Sequence, residues 1–258
     1  MTLDISALTP RRGTRPVLHD LTLTLHPGAV TVVIGPNGSG TSTLLAALSG
    51  ALPYQGLIRM HGVEVRGTPP ETLASRRALM SQQVEVSFNF TMAEIVAMGA
   101  RTPLGPARIA ALLAEVGLVG FGARNAVELS GGEAQRMHLA RALAQAETGT
   151  APFWLMLDEQ VSSLDLSHQI AVMGRARRFA HAESGALIML HDLNFAVQGA
   201  DRLIVLHRGS ITADGLPSAV LTDDLLQGVY DCAVRVDRVP RSGPFLLIQS
   251  GDGAGTLG

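Results

Sequence analysis

The sequence predicts an α/β fold: an open sheet that presents ligands at the carboxyl ends of its strands, an antiparallel β subdomain, and an inserted helical lobe. Three observations predict it. The apolar run Val30 to Ile34 ends in a glycine-rich turn that opens a helix over Ser42 to Leu48. Two later apolar strands, Phe153 to Leu157 and Ala186 to Leu190, end in Asp158-Glu159 and His191-Asp192, and ligands of open α/β sheets sit at that end of the strands. Between these blocks, Thr91 to Leu118 changes to helical texture, which sets a lobe within the α/β unit.

With 258 residues, 47% of them hydrophobic, the chain can bury the core of one large domain or of a domain with a lobe inserted. A net charge of −2 gives no global attraction to nucleic acid or anionic lipid, so no nucleic-acid partner is expected. Cys232 is the single cysteine, which excludes an intrachain disulfide or a cysteine zinc cluster and suits a reducing compartment. No apolar run reaches the roughly 18 residues that span a bilayer, so a cytosolic or membrane-peripheral chain is expected. All twenty basic residues are arginine, and the chain contains no lysine.

In chain order, Leu21, Leu23 and Leu25 alternate with Thr22 and Thr24 as in a half-buried strand, and Pro27-Gly28 turns the chain into Val30 to Ile34. Gly56 to Val65 reads as two short strands about a His61-Gly62 turn, and Pro69-Pro70-Glu71 starts a short helix. Thr91 and Glu94 form a capping box, with Phe90 and Ile95 spaced as a hydrophobic staple. A helix from about Ala107 to Val116 carries Ile109, Leu112, Leu113 and Val116 on one face and ends at Gly117. Ser130 and Glu133 form a second capping box before a helix that runs through Leu143. Gly131 and Gly132 cost that helix stability, so access to its backbone is their expected use. Arg202 to Leu206 is a further strand, turned by Arg208-Gly209 into Ile211. Two short helical patterns, a hairpin over Ala233 to Ile248 and the tail SGDGAGTLG complete the chain.

The turn GPNGSGTS follows the phosphate-loop pattern G-x-x-x-x-G-K-[ST], with Thr41 where the pattern has lysine. Backbone N–H groups in such a turn curl round an anion, and the following helix adds its positive dipole end. Glycine-rich strand-to-helix turns also arise for packing reasons, so its companions decide the reading. Asp158 and Glu159 at the end of a buried strand suit a magnesium ligand beside a water-polarising carboxylate.

The stretch LSGGEAQRMHLARAL resembles the signature of ATP-binding cassette ATPases. The order phosphate loop, Gln82, LSGGE, LMLDE, SSLD and His191 is that family's order, and the likeness extends to about Gln249. The resemblance implies a P-loop NTPase (RecA-like) core with its β subdomain over 1–85 and 150–249, a helical signature lobe over 86–149 and a disordered tail over 250–258. It implies ATP and Mg²⁺ as cofactors. Gly35, Pro36, Asn37, Gly38, Ser39, Gly40, Thr41, Ser42 and Thr43 would wrap the triphosphate, with Ser42, Gln82 and Asp158 at the metal. Gln82 would also couple to a membrane subunit, Glu159 would polarise the attacking water, and His191 would contact the γ-phosphate. Ser130, Gly131, Gly132 and Glu133 would close on nucleotide held by a second protomer, with Asp165 in the loop linking the two sites. A homodimer follows.

The wording DEQVSSLDLSHQI, MLHDLNFA, RLIVLHRGSI, AVLTDDLL and PFLLIQS is similar to the energy-coupling subunit of bacterial haemin importers, within the group that also serves iron-siderophore and cobalamin uptake. This resemblance implies a subunit that hydrolyses ATP on the cytoplasmic side of the bacterial inner membrane. Its partners would be integral-membrane permease subunits and, through the complex, a periplasmic haemin-binding protein. The alternatives are a catalytically impaired nucleotide-binding or structural subunit, and the ATPase of a siderophore or cobalamin importer. The chain departs from the family at Thr41, at Ser81 and Gln160 where prolines are usual, and in having no aromatic residue before Tyr54, which leaves Arg11 or Arg12 to stack on adenine. SFNFTM, from Ser87 to Met92, is the expected docking loop for the permease, through Phe88.

Overall fold

The computed structural model describes residues 2–80, 89–150, 153–158, 166–181, 184–231 and 235–239. The chain opens with β1 (Leu3–Arg12), β2 (Arg15–Pro16), β3 (Leu21–Leu25) and β4 (Val30–Ile34). It continues through α1 (Thr41–Leu48), β5 (Tyr54–Met60), β6 (Val63–Glu64), α2 (Pro70–Ala74) and β7 (Arg77–Met80). Three helices follow, α3 (Met92–Ala97), α4 (Pro106–Glu115) and α5 (Gly131–Glu147). The rest alternates: β8 (Trp154–Leu157), α6 (Leu166–His181), β9 (Gly185–Met189), α7 (Leu193–Gly199), β10 (Arg202–His207), β11 (Ser210–Gly215), α8 (Pro217–Val220) and α9 (Asp223–Tyr230).

The central sheet has the order β11-β10-β4-β9-β8-β7, parallel throughout except for the antiparallel edge strand β11. Parallel strands are covered on both faces, which is why β4, β8 and β9 read as unbroken apolar runs and are buried along their whole length. Period-two geometry divides them between two cores. Val30, Val32, Ile34, Leu155, Leu157 and Ile188 pack against the side that carries α3 to α7. Val33, Trp154, Met156, Leu187, Met189 and Ile204 pack against α1 and the antiparallel sheet of β1, β2, β3, β5 and β6. The inserted helices are held by their predicted devices. Thr91 and Ser130 both cap with reciprocal bonds to Glu94 and Glu133, and the apolar face of α4 buries Ile109, Leu112 and Leu113.

β1 is a strand that alternation does not announce. Leu3 and Ile5 are buried, and the next buried apolar residue is Leu8, one position out of phase. A bulge at Ala7, where φ is 48°, absorbs the extra residue and shifts the register against both β3 and β5. Gly56 is required opposite it, because a Cβ there would collide with the carbonyl oxygens of Ser6 and Ala7. At the other end of the chain, residues 235–239 form a turn with no strand, so the described part of the expected hairpin over 233–248 is not extended; the remainder lies outside the described residues.

Candidate functional site

The carboxyl ends of three neighbouring parallel strands bring the site together. Val205 of β10 is in register with Ile34 of β4, and Val33 of β4 with Met189 of β9. The segments that leave those strands, Gly35 to Gly40, Leu190-His191 and Arg208-Gly209, therefore emerge side by side. They border an open cleft of about 1060 Å³ whose lining includes Asn37, Gly38, Gly40, Thr41, Ser42, Thr43 and His191.

Gly35 passes so close to β10 that a Cβ would collide with the Leu206 carbonyl oxygen. The turn is closed by the Ser39 N–H donating to the Pro36 carbonyl at 3.0 Å. Gly40 sits at φ 109°, a conformation open only to glycine, and Leu18 packs where its side chain would be. With Gly40 as N-cap, α1 begins without a side-chain cap and without an acid in its first turn. Its first N–H groups and dipole end remain available to an anion. Thr41 and Thr43 are buried in the cleft wall, and Leu44 N–H closes the first helical turn onto the Gly40 carbonyl at 2.8 Å.

His191 is exposed on the cleft, immediately before Asp192, which caps α7 by accepting from the Phe195 N–H at 2.9 Å. Capping therefore belongs to Asp192, and the imidazole is placed on the open wall. Asp158 is 5% exposed at the end of β8, its N–H donating to the Met80 carbonyl at 3.1 Å; it is beside the cleft without lining it. Ser130 to Glu133 form the first turn of α5 and do not line the cleft. Hydrogen bonds from the Ser130 backbone and hydroxyl, aided by Arg124, hold the Glu133 carboxyl below the usual carboxylate range. A Cβ built on Gly131 or Gly132 meets nothing within 4 Å. Packing among the described residues therefore does not require glycine at either position. Gln82, Glu159 and Asp165 lie outside the described residues, as do Ser81, Phe88 and Gln160.

The cleft also recruits residues that sequence reasoning passed over: Arg15, Pro16, Val17 and His19 from the β1–β2 hairpin and its exit, and Arg208 from the β10–β11 turn. Of the two arginines considered for stacking, Arg12 lines the cleft, whereas Arg11 is turned to the Thr14 carbonyl at 3.0 Å. Tyr54 does not line it, and carries the Arg66 guanidinium 4.6 Å from its ring centre.

A profile of the ABC transporter family matches residues 18–162, from the exit of the β1–β2 hairpin past Asp158. This chain belongs to the ABC transporter family. Among curated relatives it is 41% identical to the Hemin import ATP-binding protein HmuV of Rhizobium etli over 258 residues, covering 96% of this chain and 98% of that protein. It is 43% identical to the protein of the same name from Rhodopseudomonas palustris over 259 residues, covering 98% and 96%. Among solved structures, an ATP binding subunit of an ABC transporter superposes with a TM-score of 0.75 at 24% identity, over 88% of this chain and 93% of that one. The ADP conformation of the cassette MJ1267 gives 0.72 at 22% identity, over 90% and 99%. Those two likenesses establish the fold, a P-loop NTPase core. By family the chain is an ABC-type ATPase, and among its described residues no helix is long and apolar enough to cross a membrane.

Proposed function

We propose that this cassette is the energy-coupling subunit of a haemin importer, binding Mg²⁺-ATP in the cleft and hydrolysing it to drive transport. The observation that carries the reading is the uncapped N-terminus of α1 opening into a cleft whose described lining holds arginines and histidines and no carboxylate. Such a site suits a polyphosphate. The choice of haemin rests on the relatives' names alone, because the transported molecule is handled by other subunits.

In this reading the backbone from Gly35 to Thr43 cradles the triphosphate. Ser42 and Asp158 would hold Mg²⁺, with Gln82, and the ion would neutralise charge on the transferring phosphoryl group. Their chemistry fits, as a hydroxyl at the start of α1 and a buried carboxylate at the end of β8, one strand beyond β9, are hard oxygen donors. Glu159 orients the water and His191 meets the γ-phosphate from the cleft wall. Ser130, Gly131, Gly132 and Glu133 serve nucleotide on a second protomer, with Asp165 between the two sites. The open space at Gly131 and Gly132 supports that role, since an approaching phosphate gives a reason for glycine that this chain's packing does not. The division into a core over 1–85 and 150–249 and a signature lobe over 86–149 belongs to the same reading. So do a homodimer, permease subunits on the cytoplasmic face of the inner membrane, and an indirect periplasmic partner.

Thr41 favours a second reading, a subunit that binds nucleotide but hydrolyses it poorly. A lysine there makes charge-assisted contacts that contribute about 1.5–3 kcal/mol, and a buried threonine offers one neutral hydroxyl. Phosphate release from the purified chain, with and without its permease in liposomes, separates the readings: stimulated release supports the motor, and none supports the impaired subunit.

A further inference from the structure

The phosphate cleft is walled by guanidinium groups to which the family's signature gives no part. Arg12, Arg15 and Arg208 line it together with His19 and His191, and no Asp or Glu is among the described lining residues, in a chain whose net charge is −2. Several arginines elsewhere are paired with carboxylates. Arg202 forks onto Asp214 at 2.7 and 2.6 Å, and Arg108 and Arg175 share Glu115 and Glu147. Among the described residues the guanidinium groups of Arg12, Arg15 and Arg208 have no hydrogen bond and no ion pair.

Two local choices run against fold stability. Arg12 and Arg15 are Cα partners across the β1–β2 hairpin, and like charges directly opposite each other on a strand pair are destabilising. The β10–β11 hairpin is closed by the pair His207–Ser210 with Arg208 and Gly209 as its two loop residues, at φ 48° and 80°. Positive φ at both positions is the turn that Asn-Gly fills best, and a residue with a long side chain is a poor first member. That turn is tied to the phosphate loop. The Gly209 N–H donates to the Ser39 carbonyl at 3.1 Å, and the Gly209 carbonyl accepts from the His19 N–H at 2.9 Å. Arg208 thus springs from backbone bonded to the loop two residues before Thr41, in a chain that contains no lysine.

We propose that Arg208 supplies the cation that Thr41 does not, reaching the β- and γ-phosphates of a nucleoside triphosphate from the β10–β11 turn, while Arg12 and Arg15 neutralise the remaining phosphate charge from the facing hairpin. This rests on the ATP-binding reading above. Asparagine is the informative replacement, because it suits the left-handed turn position while removing the guanidinium and its reach.

The test is equilibrium binding of Mg²⁺-ATP and of AMP to four full-length proteins: the parent, Arg208→Asn, Thr41→Lys and the double variant, with thermal unfolding of each. Arg208→Asn is expected to weaken ATP binding at least tenfold, on the scale of a charge-assisted contact, with AMP binding unchanged and a Tm no lower than the parent's. In the Thr41→Lys background the same change is expected to cost less than threefold, since lysine already occupies the role. Unchanged ATP affinity in Arg208→Asn, or an equal loss in both backgrounds, would overturn the proposal and leave the ATP-binding reading standing. A parent that fails to bind ATP while Thr41→Lys binds it would overturn both the proposal and the reading that this chain binds ATP. Failure of all four proteins to bind ATP would overturn both.

Discussion

The Gly209 N–H donates to the Ser39 carbonyl at 3.1 Å, joining the β10–β11 turn to the phosphate loop across the carboxyl edge of the central sheet. Two loops that emerge from neighbouring strands are thereby held as one unit, and the cleft floor inherits the rigidity of β4 and β10. Gly209 is at φ 80°, and a Cβ would collide with the Val17 carbonyl oxygen. Gly209→Ala is therefore expected to cost about 1–3 kcal/mol, the range for a strained backbone site. It should lower the Tm by several degrees and weaken Mg²⁺-ATP binding with it. A Tm within one degree of the parent's, read by calorimetry, would show that the turn is free to shift.

The first turn of α5 gives the opposite expectation. Gly132 is in a helix with open space where a Cβ would go, so alanine gains helix propensity, about 0.8–1.0 kcal/mol in a helix interior and less this near the end. Gly132→Ala should keep or raise the Tm of the isolated chain, yet reduce ATP-driven dimer formation, measured by light scattering on size-exclusion chromatography. Dimerisation equal to the parent's would remove the case for contact between this turn and a partner's nucleotide.

His61 sets a pH dependence. Its two ring nitrogens are buried without partners and its ring stacks on Trp154 with centroids 6.5 Å apart. Burial, reinforced by the Arg76 charge, pulls its pKa below the ordinary 6.5. The folded chain then holds fewer protons than the unfolded one, so this contribution to stability is complete above about pH 6.5 and is lost as pH falls toward and through the folded value. The parent's Tm should fall more between about pH 7.5 and pH 5.5 than that of His61→Asn, a residue that tolerates φ 51°. Parallel Tm curves for the two proteins would contradict this.

Much of the fold and part of the site were legible in the chain. The β-branched run of β4, the two capping boxes and the apolar face of α4 are local patterns, and local patterns survive without knowledge of the tertiary fold. β1 was not legible, because the bulge at Ala7 breaks its alternation and Pro10 argues against a strand. Arg208 was legible only as a turn residue. Its place on the cleft comes from parallel pairing of β10 with β4, which joins residues about 170 apart in sequence, and no periodicity reports such a pairing. The choice between Arg11 and Arg12 as the residue that stacks on adenine was not legible either, because only the folded β1–β2 hairpin places Arg12 on the cleft and turns Arg11 to the Thr14 carbonyl.

Turnover at saturating Mg²⁺-ATP, with the permease present, tests the central claim most directly when the parent is compared with Thr41→Lys and each is repeated with Glu159→Gln. Charge on the transferring oxygens grows in the transition state, where a preorganised cation acts most strongly. The account predicts slow but measurable hydrolysis by the parent, because a cation reaching in from the β10–β11 turn holds the nucleotide but is not placed on the transferring oxygens as a phosphate-loop lysine is. It predicts at least a tenfold rise with Thr41→Lys on that scale, and loss of both activities with Glu159→Gln. Equal turnover in parent and Thr41→Lys would contradict the claim that Thr41 limits this enzyme, and turnover that survives Glu159→Gln would contradict the assignment of the water-polarising carboxylate.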